Sequence, residues 1–409
     1  MNTFMRLREL VINAAWVLTL TVVPTVCFSA MTIVPDLRVG VVYATNGGPT
    51  GLDVDSVGGE IFARINFSFV NDRGSFVIAP RVRATRHEDE QTTEQEEKTL
   101  QADWTRLFRT GRFDIRFGIS QQDSFTSELR DFDVDLDSDI EIGNEDSGIV
   151  DQDTTRDRVF FRGEALKAVT QRGNAVFTWN FRDLSYDDVE ASDRVDFSNT
   201  KLGAGWRWNR DQRSSIVFTG NFQHYDANNG QKVDTVGGEV EYNMDFTETS
   251  RFYLAAGYDN SSSELNGVDL GSSGNVTFRA GGEKSWQLTR HRIGLYRTLQ
   301  PTSAGDVREQ TGLSYIIERR MSPRFTLRAG LQAFQSDNLS NQRDSRKRDA
   351  VSGRLGLSWR MRRNWFLELN YRHSRQEFDD VTILGGETEL RNTINLSIRY
   401  RGKDPARLQ

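Results

Sequence analysis

The segment Val236-Gly-Gly-Glu-Val-Glu-Tyr-Asn-Met-Asp-Phe246 carries Val236, Gly238, Val240, Tyr242, Met244 and Phe246 at every second position, with Gly237, Glu239, Glu241, Asn243 and Asp245 between them. Alternate side chains of a β-strand point to opposite faces, so this segment is a ribbon with one apolar and one strongly polar side. The same period runs through Phe113, Ile115, Phe117 and Ile119, through Leu355, Leu357, Trp359 and Met361, and through Ile394, Leu396, Ile398 and Tyr400. Working outward from these, the alternation predicts eighteen strands. They cover 35–45, 59–70, 74–86, 98–109, 112–120, 157–169, 174–184, 197–209, 213–225, 235–247, 251–260, 273–288, 290–301, 307–320, 323–335, 350–362, 365–377 and 389–401. Two strands break the pattern: Pro80 predicts a bulge in the third, and Arg106, on the apolar side of the fourth, predicts a register shift.

The connections alternate in length. Short turns such as Asn71 to Gly74, Thr110-Gly111 and Arg363-Asn364 exchange with longer loops, the longest at 121–156 and the shortest at 302–306. Short turns at one end, longer loops at the other, an even strand number and strands of about ten residues together describe a transmembrane β-barrel. The expected fold is therefore all-β: a closed antiparallel transmembrane barrel of about eighteen strands, with sixteen as the alternative count. A soluble sandwich has to hide every apolar face in one core, which this chain is too polar to do. A β-helix needs a fixed repeat, and none occurs.

Composition agrees. The 409 residues hold 52 Lys and Arg against 58 Asp and Glu, a formal net charge of −6, and only 37% are hydrophobic. Mean hydropathy is −0.58, too polar for a helical membrane protein. The balanced charge gives no nucleic-acid footprint. Residues 1–30 read as a secretory signal peptide: Arg6 and Arg8, an apolar run from Leu10 to Val23, then Pro24 and Ser29-Ala30. The expected division is signal peptide 1–30, barrel 31–401 and a short tail 402–409. Cys27 is the only cysteine, so the predicted mature chain has neither disulfides nor thiol chemistry.

The closing strand Asn392-Thr-Ile-Asn-Leu-Ser-Ile-Arg-Tyr400 resembles the C-terminal β-signal of Gram-negative outer-membrane β-barrels, an alternating apolar strand ending in an aromatic. Here nine residues follow that aromatic. The resemblance implies a porin-like barrel in the bacterial outer membrane, delivered by the barrel-assembly machinery, among membrane lipid and lipopolysaccharide. More narrowly, Ser322-Pro-Arg-Phe-Thr-Leu-Arg-Ala-Gly-Leu331 and the ending from Leu369-Asn-Tyr-Arg-His-Ser374 to Asn392 are similar to barrels of exopolysaccharide gene clusters, which implies a polysaccharide as one candidate cargo.

The apolar face is expected to meet lipid, with an aromatic girdle near the short turns at Phe69, Phe108, Phe113, Trp208, Phe246, Phe252, Trp286, Phe325, Trp359, Trp365 and Tyr400. The polar face is expected to line a lumen with Arg81, Arg83, Arg112, Arg116, Arg158, Arg162, Arg182, Arg207, Arg279, Arg328, Arg354, Arg360, Arg372 and Arg399. Against these fourteen arginines stand eight acids: Asp114, Glu164, Glu239, Glu241, Asp245, Glu283, Glu318 and Glu368. A surplus of guanidinium groups in a confined space favours anions. The alternative is that the charges pair and stiffen the wall.

The third long loop, 121–156, carries twelve Asp and Glu, among them Asp131, Asp133, Asp135, Asp137 and Asp139, against Arg130 and Arg156. In porins, which this architecture resembles, the third loop folds inward, so these aspartates are a candidate constriction; a solvated outer loop is the alternative. The run Asp133 to Asp139 lacks the glycine an EF-hand requires at its sixth position, which is Ser138 here, so no metal site is assigned and no cofactor is expected. The four histidines are scattered, and His373-Ser374 are adjacent, hence on opposite faces of a strand. No catalytic motif accompanies them, so the expected protein is not an enzyme. The expected function is an outer-membrane channel passing hydrophilic, anionic solutes, with exopolysaccharide export as one form of it. The alternatives are a general diffusion porin for small solutes and a plugged structural or adhesive surface barrel.

Overall fold

The computed structural model describes residues 30–45, 55–88, 95–123, 155–187, 194–302, 305–338, 347–379 and 387–402. They form eighteen strands: β1 (Ala30–Thr45), β2 (Ser56–Asn71), β3 (Gly74–His87), β4 (Gln95–Phe108), β5 (Gly111–Asp123), β6 (Thr155–Ala168), β7 (Gly173–Tyr186), β8 (Phe197–Asn209) and β9 (Ser214–Ala227) make the first half. The second half is β10 (Gln231–Thr247), β11 (Ser250–Leu265), β12 (Val268–Ser285), β13 (Thr289–Pro301), β14 (Val307–Arg320), β15 (Phe325–Asn338), β16 (Lys347–Arg362), β17 (Trp365–Asp379) and β18 (Glu387–Arg401). Each strand pairs antiparallel with its sequence neighbours, and β1 pairs with β18 from Asp36↔Arg401 to Thr45↔Asn392, closing the sheet on itself. No helix occurs among the described residues.

Every predicted strand is present, and the structure corrects three details. β1 begins at Ala30 rather than at residue 35, because Pro35 lies just beyond the last β18 partner, Asp36, where β1 has a ladder on one side only and a missing N–H is tolerated. Pro80 causes no bulge: the β2–β3 ladder lapses between Arg64↔Arg81 and Phe67↔Ile78 and resumes in the same register. Arg106 causes no register shift, since β4 stays in register with β3 from Gly74↔Arg106 to Thr85↔Gln95. Its place near the short turn lets a long side chain reach past the apolar band to water. The signal peptide, apart from Ala30, the third long loop from 124 to 154 and the tail from residue 403 lie outside the described residues.

The two faces differ as the alternation requires. Val39, Ile61, Val236, Val240, Leu254, Val276, Leu396 and Ile398 are exposed on the outside. All eleven girdle aromatics fall on the outer face or, for Trp286, in a turn at the short-turn end. Phe325 stacks on Trp359 at 6.0 Å between centroids, and Trp365 meets Tyr400 at 5.1 Å. Closure leaves no strand edge unpaired, which is what hydrocarbon demands of a spanning sheet, and an apolar exterior ringed by aromatics at one rim is the surface that meets a bilayer. The chain is a closed eighteen-stranded antiparallel β-barrel with the exterior of a membrane-spanning one.

The inner face carries polar contacts where a soluble protein has an oily core. At the closing seam Arg399 of β18 grips Asp36 of β1 through Nε at 2.7 Å and Nη2 at 2.5 Å, while its Nη1 lies 3.2 Å from Glu368 of β17. Arg38 stands 3.5 Å from Glu368 and 3.9 Å from Glu60 of β2. Glu60 in turn accepts from Arg83 of β3 and, at 3.1 Å, from Asn395 of β18. Five strands around the seam are thus tied by one network. Arg399, Asp36 and Glu368 are all buried. Replacing Arg399 by Met strands Asp36 and leaves Glu368 with Arg38 alone, and removing one partner of a buried pair costs about 3–5 kcal/mol. The expected outcome is an earlier unfolding midpoint in urea for detergent-refolded R399M, followed by heat-modifiable electrophoresis. An unchanged midpoint would deny the seam network its role.

Candidate functional site: the arginine wall and an inward hairpin

Opposed residues of an antiparallel ladder share a face, so the registers carry one face around the whole barrel. From Arg38 that face passes to Arg399, then by way of β17 and β16 to Gly330, and on through Ser314, Gly294, Gly281 and Tyr253. It returns through Asn243, Ser215, Asn209 and the inner residues of β7 to β3, closing at Phe62 opposite Arg38. All fourteen predicted arginines lie on it, as do Glu239, Glu241 and Glu368.

Ion pairs among the described residues fix many of them. Arg81 meets Glu97, Arg83 meets Glu60, and Arg112 meets Asp114 at 2.5 Å. Arg116 meets Asp103 at 2.7 Å, and Arg328 meets Glu318 at 3.2 Å. Arg279 reaches both Glu239 at 2.5 Å and Glu241 at 3.2 Å, and Arg399 is the seam residue. Arg158 lies over Phe160, and Arg360 donates to the Pro323 carbonyl at 2.7 Å. Pairing therefore accounts for much of the wall, yet the basic surplus persists. The same face adds Arg38, Arg64, Arg156, Arg251, Arg290, Arg292, Arg308, Arg348, Arg391 and Lys201, against Asp36, Glu60, Glu97, Asp103 and Asp259. Sequence reading passed these over because several sit at strand ends, where alternation alone does not fix the face.

The surplus is uneven. Acids gather on β10 to β12 as Glu239, Glu241, Asp245, Asp259 and Glu283. Across β16 to β18 and β1 to β3, a cavity of about 90 Å³ is lined by Arg38, Arg83, Arg354, Arg372 and Arg391 with the single carboxylate Glu60, beside His87, Asn370 and Asn395. Guanidinium groups clustered at this density can hold a small anion through charge-assisted hydrogen bonds.

The aspartates of the third loop, Asp131, Asp133, Asp135, Asp137 and Asp139, lie outside the described residues. The element that narrows the barrel among the described residues is one the sequence did not suggest, the hairpin between β13 and β14. The β12–β13 ladder stops at Phe278↔Arg297, although β12 runs on to Val268 with β11, and β13 runs on to Pro301 with β14. Below that point Ile293 and Leu295 are exposed on the outer face. Above it Leu299 and Val307, which share their face, are buried at 7% and 1% exposure, packed against the inner-face residues Leu184, Phe197, Tyr225, Ala227 and Val233. On the other side of the hairpin Gln300, Arg308 and Gln310 are buried too. An outer face can meet inner residues of β7 to β10 only if the hairpin has turned into the barrel. Tyr225 Oη donates to the Thr302 carbonyl at 3.2 Å, and Arg308 pairs with Asp306 at 3.1 Å. Gly305, at φ +83°, has no room for a Cβ against Asn229 and Val195. The signal was present in the sequence: Leu184, Phe197, Tyr225 and Val233 put apolar side chains on the polar face near the long-loop end, and 302–306 is the shortest long loop.

No protein-family model matches the chain, and no curated protein matches it. Solved structures do. Pseudomonas aeruginosa OccK2 (OpdF) aligns with a TM-score of 0.49 at 10% identity, over 91% of this chain and 98% of that one. Acinetobacter baumannii OccAB2 aligns at 0.48 and 10% identity, over 92% and 99%. A second OccK2 (OpdF) structure, in complex with glucuronate, aligns at 0.48 and 9%, over 92% and 98%. The likeness is one of barrel architecture.

If the apolar cluster holds the hairpin inside, a carboxylate within it releases it, since burying an unpaired charge costs several kcal/mol. Val307→Asp is expected to raise single-channel conductance in planar bilayers while the barrel stays heat-modifiable. Conductance equal to that of the parent would show that the hairpin does not restrict the passage.

Proposed function

We propose that the protein is an outer-membrane diffusion channel for small hydrophilic solutes that favours anions. The observation that carries this reading is the arginine surplus of the inner face, concentrated around the cavity between β16 and β3. Ion pairing fixes where guanidinium groups sit without cancelling an unequal count, and a low-dielectric wall focuses the remaining positive field into the lumen. Eighteen strands enclose a passage wide enough for water. Arg354 and Arg372 stand in register opposite each other on β16 and β17, where a passing anion meets two cations at one height.

The test is reversal potential in a KCl gradient across a planar bilayer holding the purified barrel. The expected sign is that of a chloride-favouring channel, and the double variant Arg354→Gln, Arg372→Gln is expected to move the potential several millivolts toward the cation side. Cation preference in the unaltered protein would overturn the reading.

A second reading, a plugged structural barrel, draws on the buried hairpin at the mouth; absence of any current from folded, inserted protein would select it. The exopolysaccharide expectation finds no support in the inner wall or in the comparisons, and the channel is read as one for small solutes.

A further inference from the structure

The short-turn rim is strongly basic. Six of its eight turns contain arginine: Arg73, Arg109, Arg172, Arg210 with Arg213, Arg324 and Arg363, all exposed. The acids in those turns are Asp72, Asp211 and Glu248. Asp211 is committed to its own turn, accepting from the Arg213 N–H at 2.7 Å and from the Ser214 N–H and hydroxyl at 2.8 Å each. The arginines lie on the β14–β15 and β16–β17 turns and, across the seam, on the β2–β3, β4–β5, β6–β7 and β8–β9 turns, an arc that leaves the β10–β11 and β12–β13 turns without one.

Each basic turn but one lies beside the aromatic rim. Arg109 follows Phe108, Arg324 precedes Phe325, Arg210 is two residues past Trp208, and Arg363 is two residues before Trp365. Arg73 lies between the stacked Phe69 and Phe76. Aromatic rings settle at the interface of a bilayer, so a guanidinium one or two residues further out stands at the depth of lipid phosphates. A guanidinium binds a phosphodiester through two parallel hydrogen bonds, and each basic residue near an anionic surface contributes attraction that salt screens.

We propose that this arc of turn arginines selects anionic phospholipid headgroups in the leaflet that surrounds the short turns. A protein partner favours a compact patch; an arc of basic turns over about two-thirds of the rim, from β14–β15 across the seam to β8–β9, is too extended for one such patch and matches a row of lipid headgroups. The inference rests on the membrane reading but not on anion passage through the lumen.

The experiment uses the full barrel refolded into vesicles of phosphatidylcholine alone or mixed with phosphatidylglycerol. Lipids retained after gentle extraction are counted by native mass spectrometry, and the thermal midpoint is read by heat-modifiable electrophoresis. The expected result is several-fold enrichment of phosphatidylglycerol over its share in the vesicle and a higher midpoint in the mixed vesicles, both lost in high salt. Changing the seven turn arginines to Gln should abolish the enrichment while leaving single-channel conductance unchanged, and changing them to Lys should keep most of it. If the Gln variant does not fold, the Lys variant and the salt titration of the unaltered protein decide. Inserted, folded protein with no lipid preference overturns the proposal, and so would point to an acidic protein partner instead. Failure to enter vesicles at all would overturn the membrane reading itself.

Discussion

Every backbone N–H and C=O that meets hydrocarbon must find its partner within the protein, and the seam between β1 and β18 is where that demand is met last. Seventeen hairpin pairings follow from chain order; the eighteenth joins residues more than three hundred positions apart. The seam is also where charge is used most heavily. Asp36, Arg399, Glu368, Arg38, Glu60 and Arg83 form one network on the inner side of that ladder, while Val39, Val41, Ile394 and Leu396 meet lipid on the other. Ionic groups hold the closure from the wet side, and the apolar belt excludes water from the oily side.

The same inner charges that hold the wall also shape the passage. An arginine bound to one glutamate is fixed in place, and a fixed cation is a better filter element than a mobile one, because no reorganisation accompanies each passing ion. The acidic staves β10 to β12, where Arg279 bridges Glu239 and Glu241, face a lumen otherwise dominated by basic strands. The field inside the barrel is therefore transverse rather than uniform.

How much of this was legible in the sequence depended on period. Strands and faces followed from alternation: Arg354, Arg360 and Arg372 fell inside and Trp359 and Tyr400 outside, because a residue's face in a ladder is set by parity alone. Pro80 and Arg106 misled because a local irregularity was read as a change of register, whereas neighbouring ladders on both sides hold a strand to its place. The inward hairpin was missed for a different reason. Leu299 and Val307 have the parity of lipid-facing residues, and only the three-dimensional course of β13 and β14 brings that face against Tyr225 and Val233. Glu97 and Asp103, the partners of Arg81 and Arg116, were missed because the register between strands is not contained in either strand alone.

The unfinished ladder above Phe278 has one more consequence. β12 from Val268 to Thr277 has no strand partner on its β13 side, and β13 beyond Arg297 has left the groups that would meet it. The wall is therefore slit at the outer rim, and the aperture of the mouth is governed by side-chain cohesion rather than by the sheet. Seven apolar residues, not a backbone ladder, hold that part of the wall in place.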